Sequence, residues 1–143
     1  MADVNQELPI QATRRQVFDA VSSPAGLDVW WTKTSTGAPV QGSEYQLGFG
    51  PEHQWRARVT HAVQDAEFEL ELTRADADWT GTRVGFRLTD QGGTTRLEFR
   101  HTGWPAANQH YRVSCHCWAM YLRLLRRHLE HGETVAYEVR LDA

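Results

Sequence analysis

Ser114-Cys115-His116-Cys117-Trp118 holds both cysteines of the chain, with a histidine between them. Thiolate and imidazole are zinc ligands, and a thiolate beside an imidazole is an activated nucleophile. Spacing argues against both uses. The surrounding residues repeat with helical period over roughly 108–131. At about 100° per residue, Cys115 and Cys117 point about 200° apart. They can share an ion only if the helix breaks. His116 points away from Trp118, toward Arg123 and Arg127. A zinc site also needs a second ligand pair, which the sequence lacks. No metal is therefore expected. The thiols read as small hydrophobes flanking an apolar stripe, and Trp118 at its centre reads as core or cavity wall.

Two histidines fall on strands. In "TRLEFRH", Leu97, Phe99 and His101 share one parity, so His101 is expected to face inward. A histidine there is either a hydrogen-bonded core residue or a group that orients or protonates a guest in a cavity. His101 is the catalytic candidate if there is one. His61 has the same parity in "WRARVTHAV" but lies nearer a strand end. Other motifs fail. "DADWTG" at 76–81 begins like a calcium loop, but the twelfth position is Arg87 instead of glutamate. Trp79 within it becomes a loop aromatic near the rim of any cavity. "GFG" at 48–50 lacks the third glycine of a dinucleotide fingerprint, and no phosphate-binding "GKS" or "GKT" exists. No serine sits in a nucleophile elbow. No cofactor is implied.

The elements that would position these groups follow from periodicity. "VNQELPI" alternates and starts a strand. "TRRQVFDAV" sets Thr13 and Gln16 in capping-box spacing before Val17, Phe18 and Val21. Ser23 and Pro24 open a second short helix that delivers Trp30 and Trp31. From about 40 to 102 the period is two. Tyr45, Leu47 and Phe49 share a face, as do Trp55, Ala57 and Val59, then Phe68, Leu70 and Leu72, then Val84, Phe86 and Leu88. Arginines and glutamates alternate with them. Five strands with one apolar and one charged face describe an antiparallel meander wet on one side, with cross-strand pairs such as Arg58 with Glu69. The long helix carries Tyr111, Trp118, Leu122, Leu125 and Leu129 on one stripe, flanked by Ser114, Cys115 and Tyr121, and Gly132 ends it. "TVAYEVRL" alternates at Val135, Tyr137, Val139 and Leu141, so an extra strand is expected over 134–141.

With 143 residues, 41% hydrophobic and 23% charged, the chain is globular and reads as one domain over 1–143. A net charge of −3 without blocks of like charge argues against nucleic acid as the partner. No apolar run approaches the ~18 residues of a membrane span, and the first residues do not form a signal peptide. Two cysteines two positions apart make no disulfide framework. A cytoplasmic location is the expectation.

A curved sheet with one apolar face needs a cover, and the long helix is the only candidate large enough. This α+β arrangement is a helix grip: a curved antiparallel sheet around a long C-terminal helix, with two short helices after the first strand. The stretches "QVFDAVSSPAGLDVWW", "DWTGTRVGFRLTDQGGTTRLEFRHTGW" and "CWAMYLRLLRRHLEHGE" resemble the START-like (SRPBCC) superfamily, in the branch similar to the C-terminal domain of activators of the Hsp90 ATPase. They span most of residues 10–133. The chain departs from the pattern at Cys117, where relatives often carry glycine before the tryptophan, and in its longer tail. The resemblance implies a cavity and no particular reaction.

Six tryptophans in 143 residues are a high count and favour a thick core or an apolar cavity. The leading expectation is a module that binds a small hydrophobic or amphipathic molecule (a lipid, polyketide or aromatic metabolite) between sheet and helix. Trp30, Trp31, Tyr45, Trp55, Phe68, Phe86, Phe99, His101, Trp104, Cys117, Trp118 and Tyr121 would line the cavity, with His101 or Tyr121 orienting the guest. Inward aromatics are also the ordinary material of a core. Two rival readings are a cyclase- or dehydratase-like enzyme using His101, which the resemblance allows, and a protein-interaction module touching a chaperone. The tail strand offers a route to a homodimer. Whether the space between Trp118 and Phe99 is open or filled separates cavity from core.

Overall fold

The computed structural model describes residues 2–142. Strand β1 (Ala2–Ile10) leads into α1 (Arg14–Ser22) and α2 (Pro24–Trp30). Six strands follow: β2 (Thr34–Thr36), β3 (Glu44–Gly48), β4 (Gln54–Val63), β5 (Glu67–Arg74), β6 (Arg83–Gln91) and β7 (Thr94–Trp104). Helix α3 (Gln109–His131) and a 3-10 turn, Tyr137–Asp142, complete the chain. The seven strands form one sheet in the order β1-β7-β6-β5-β4-β3-β2, with every pair antiparallel. The chain thus has the helix-grip fold that its pattern predicts.

The local signals act as their chemistry requires. The Thr13 hydroxyl accepts from the Gln16 backbone while the Gln16 side chain accepts from the Thr13 backbone, a complete capping box. Ser23 caps α2 ahead of Pro24. Asn108 caps α3, and Gly132 ends it in the left-handed region at φ 69°. Apolar side chains of the sheet meet α1, α2 and α3 in one cluster that includes Val17, Phe18, Leu27, Leu70, Val84, Phe99 and Leu125. The gap between Phe99 and Trp118 is closed: their ring centroids are 4.5 Å apart. Where the sequence allowed a cavity, sheet and helix are packed ring against ring.

Three expectations are corrected. A register shift between Val59 and His61 inserts Thr60 as an extra residue in β4. It turns His61 to the outer face, where it bonds Glu67. It also changes the charge pairing. Arg58 reaches Glu71 at 2.9 Å, and Glu69 instead accepts from Thr60 and Arg100. The third correction is the tail. Residues 134–141 form no strand; the segment ends in the 3-10 turn. Alternation would point Val139 and Leu141 inward, yet they are 51% and 69% exposed, and Arg140 is the buried residue at 4%. The Arg140 guanidinium donates to the backbone oxygens of Asp28, Thr32 and Val135 at 2.6, 3.1 and 3.2 Å. Two of these carbonyls lie at the C-terminal end of α2, whose negative pole attracts the cation. One charged group with three acceptors outweighs burial of two aliphatic side chains. Strand β2 was not anticipated: Thr34-Ser35-Thr36 has no apolar residue, and its pairing with β3 depends on Gly48, where a Cβ would lie 2.5 Å from the Thr34 hydroxyl.

Candidate functional site: an aromatic cleft with a histidine at its wall

Helix α3 presents His110, Val113, Ser114, Cys117, Trp118 and Tyr121 toward one end of the sheet. Their spacing of three and four is one helix face. Opposite lie Trp31 from the end of α2, Phe49 from the end of β3, Trp55 from the start of β4 and Trp79 from the β5–β6 loop. Between them is a cleft of about 210 Å³. Depressions on the charged outer face reach about 360 Å³, but Asn5, Arg87, Glu98 and Arg100 line them. The aromatic cleft is distinguished by its walls, not by its size.

Those walls are continuous. Trp118 contacts Trp31, Trp79 and Tyr121 at centroid distances of 5.2, 5.6 and 6.1 Å. Phe49 meets Trp55 at 4.6 Å, and Trp55 meets Trp79 at 5.1 Å. Trp79 continues to His110, stacked at 6.4 Å. Behind Trp118 lies a closed polar chain. The Trp118 indole N–H donates to His101 Nδ1 at 3.0 Å, so the His101 proton sits on Nε2. That N–H donates to the Thr82 hydroxyl at 2.8 Å, and Thr82 donates to the Trp79 carbonyl at 2.5 Å. Burial, helped by the charge of His110, pushes the His101 pKa down to about 3. His101 is therefore a neutral core histidine with both nitrogens engaged. It clamps two cleft tryptophans in place but has no free nitrogen to offer a guest.

Of the residues expected to line a cavity, Trp31, Trp55, Cys117, Trp118 and Tyr121 come together at the cleft. Trp30, Tyr45, Phe68, Phe86, Phe99, His101 and Trp104 are core, each at most 2% exposed. Tyr45 is fixed by donating to the Ser22 carbonyl, and its phenol pKa is raised by burial. Trp79 reaches the cleft, as its loop position suggested. Phe49, His110, Val113 and Ser114 were not singled out. The helical stripe holds the signal for three of them, because 110, 113, 114, 117 and 121 share one face. Burial raises the Cys117 thiol, and it pushes the Tyr121 phenol up to about 12, with Cys117 and Tyr137 adding to it and Arg140 opposing. Both are neutral near pH 7, so the floor of the cleft carries no charge. Cys115 and Cys117 are both free thiols, and no cluster of three metal-ligating side chains occurs among the described residues.

Polar capacity is left over. His110 Nδ1 lies 3.1 Å from an Asp78 carboxylate oxygen that also accepts from Asn108 at 3.3 Å. The buried indole nitrogens of Trp79 and Trp104 have no hydrogen-bond partner.

The family described as "Activator of Hsp90 ATPase homolog 1-like protein" matches residues 11–130. The chain belongs to this family. Among solved structures, the AHSA1-like chain is similar to the Aha1 dimer from Colwellia psychrerythraea. That structure is 25% identical with a TM-score of 0.84, over 93% of this chain and 99% of that one. CalU16 from Micromonospora echinospora shares the fold at 15% identity and TM-score 0.76, over 98% and 82% of the two chains. DynU16, from the dynemicin biosynthetic locus, does so at 19% and 0.76, over 94% of this chain and 50% of that one. No curated protein matches the sequence. No helix of the described residues is long and apolar enough to cross a membrane.

Proposed function

We propose that this AHSA1-like protein binds a compact aromatic molecule in the cleft between α3 and the β3–β4 and β5–β6 ends of the sheet. The observation that carries the reading is the ring of six aromatic side chains around about 210 Å³ of open space. That volume equals the share of about seven liquid waters, or a guest on the order of ten heavy atoms. Of the guest classes the sequence suggested, an aromatic metabolite suits it and a lipid chain does not. The fold relatives CalU16 and DynU16 are compatible with this reading, since one of them comes from a biosynthetic locus. The test is calorimetric titration with one- and two-ring aromatics, beside a Cys117→Phe variant whose added ring fills the cleft. Saturable binding lost in the variant supports the proposal, and flat titrations of the native protein across the panel defeat it.

The exposed Val139 and Leu141 support a second, compatible reading: a contact surface for another protein or a second copy of this chain. The dimeric Colwellia relative supports the second copy. A dimer here would use this apolar turn and not an added strand. Light scattering at rising concentration, with Leu141→Glu as control, tests it; a monomer throughout rejects it.

A further inference from the structure

The lining of the cleft selects among aromatic guests. Of the residues that line it, His110 is the only histidine. Its Nδ1 faces the Asp78 carboxylate, so Nδ1 holds the proton and Nε2 is left as an acceptor in the neutral ring. Among the described residues, Nε2 has no hydrogen-bond partner. A carboxylate behind an imidazole also makes the far nitrogen a stronger acceptor. Asn108 donates to the same Asp78 carboxylate and so fixes the orienting group. Trp79, stacked on His110, holds a buried indole N–H that is unsatisfied. One free acceptor thus stands at an aromatic wall, while the Trp79 N–H is enclosed behind it. The smallest group that donates to such an acceptor is a hydroxyl.

We infer that the cleft is built for an aromatic hydroxyl compound, a phenol or fused-ring naphthol, whose O–H donates to His110 Nε2 while its ring packs on Trp31, Trp55 and Trp118. An aromatic carboxylate is disfavoured because it brings a negative charge toward Asp78. This rests on the reading of the cleft as a binding site. The titratable neighbours of the pair are Asp78 on the loop, His101 on β7, and Cys117 and Tyr121 on the same helix. His101, Cys117 and Tyr121 are neutral near pH 7, which leaves Asp78 and His110 as the polar pair that selects the guest.

The test compares 2-naphthol with 2-methoxynaphthalene, which keeps ring and oxygen but lacks the O–H. Both compounds are titrated calorimetrically at pH 7.5. The native protein is expected to prefer 2-naphthol by about 2- to 10-fold, the range of one net hydrogen bond. In His110→Phe the ratio should fall to near one while 2-methoxynaphthalene still binds. In Asp78→Asn, whose amide still holds the loop, the preference should shrink without vanishing. Equal affinities in the native protein, or an unchanged ratio in His110→Phe, overturn the inference and leave the cleft reading standing. Absence of binding by both compounds overturns the cleft reading and this inference together. The native comparison needs no variant to fold.

Discussion

His101 ties stability to pH with a definite sign. Its ordinary pKa is about 6.5, and the folded value is depressed to about 3. Between these values the unfolded chain binds a proton that the folded chain refuses. Stability due to this residue is therefore complete above about pH 6.5 and falls as pH drops toward 3. Near pH 5 the loss is about 2 kcal/mol. His101→Gln is expected to lose most of this slope, because a glutamine can still accept from Trp118 and donate to Thr82 without titrating. Urea unfolding of both proteins at pH 7 and pH 5 reads the difference. An equal drop in the two proteins would mean that the slope comes from other groups. The residue also shows what parity in a strand can and cannot reveal. Alternation placed His101 inward correctly, but the engagement of both its nitrogens depends on Trp118 and Thr82, which lie 17 and 19 positions away. Parity failed at His61 because one bulged residue, Thr60, reverses every side chain beyond it. Trp118→Ala removes a ring in contact with Trp31, Trp79 and Phe99 and should cost about 3–5 kcal/mol. A change below about 1 kcal/mol in its denaturant midpoint analysis would show that the surrounding rings close over the gap.

At the scale of elements, alternation and caps were enough to place the long strands, both short helices and α3. What they could not place were elements held by single contacts. Strand β2 depends on Gly48, and the tail depends on Arg140. In the tail the apolar alternation was real but was overridden by carbonyls at the end of α2, which no local pattern announces. The cleft was half legible for the same reason. Its α3 wall follows from helical spacing and Trp79 from its loop position, whereas Phe49 reaches it from a strand end and Asp78 joins only through its bond to His110. Arg140→Met keeps much of the stem but leaves the α2 carbonyls without their donor, and should cost about 2–3 kcal/mol. It should also loosen Tyr137, which stacks under Arg140 and donates to the Phe49 carbonyl at the cleft. Melting curves and amide exchange of the Phe49 region report the two effects; unchanged exchange there would separate the tail from the cleft. Across the sheet, Glu69, Gly85 and Arg100 stand in register on β5, β6 and β7. A Cβ on Gly85 would lie 2.6 Å from the Arg100 guanidinium carbon, so the missing side chain gives Arg100 its path to Glu69. Burial alone would raise the Glu69 carboxyl, but the hydrogen bonds from Thr60 and Arg100, with the charges of Arg100 and Arg83, bring it below the ordinary value. Gly85→Ala should displace the flexible arginine end and raise the Glu69 pKa while changing stability by less than about 1 kcal/mol. Carbon-detected NMR titration of the carboxyl gives the answer, and an unmoved pKa would mean that the arginine reaches Glu69 by another route.

For the whole molecule, the cleft and the core are one structure. Trp118 belongs to both: one side closes on Phe99 inside the grip, and another faces the open space with Trp31 and Tyr121. The hydrophobic cluster reaches from β1 through the sheet to α3. Such continuity predicts one cooperative transition, so tryptophan fluorescence and far-ultraviolet circular dichroism should change together on heating. A guest that binds only the folded form then stabilises the entire chain. At a free concentration of one hundred times its Kd, the gain is about 2.7 kcal/mol, and for a chain of this length each kcal/mol is worth roughly 2–4 °C in Tm. A saturating aromatic guest should therefore raise the melting temperature by roughly 5–10 °C. The same guest should leave Cys117→Phe at its own unliganded Tm, because the added ring occupies the space the guest needs. A rise of equal size in both proteins would place the guest elsewhere on the surface. A rise confined to one spectroscopic probe would break the link between cleft and core that Trp118 provides.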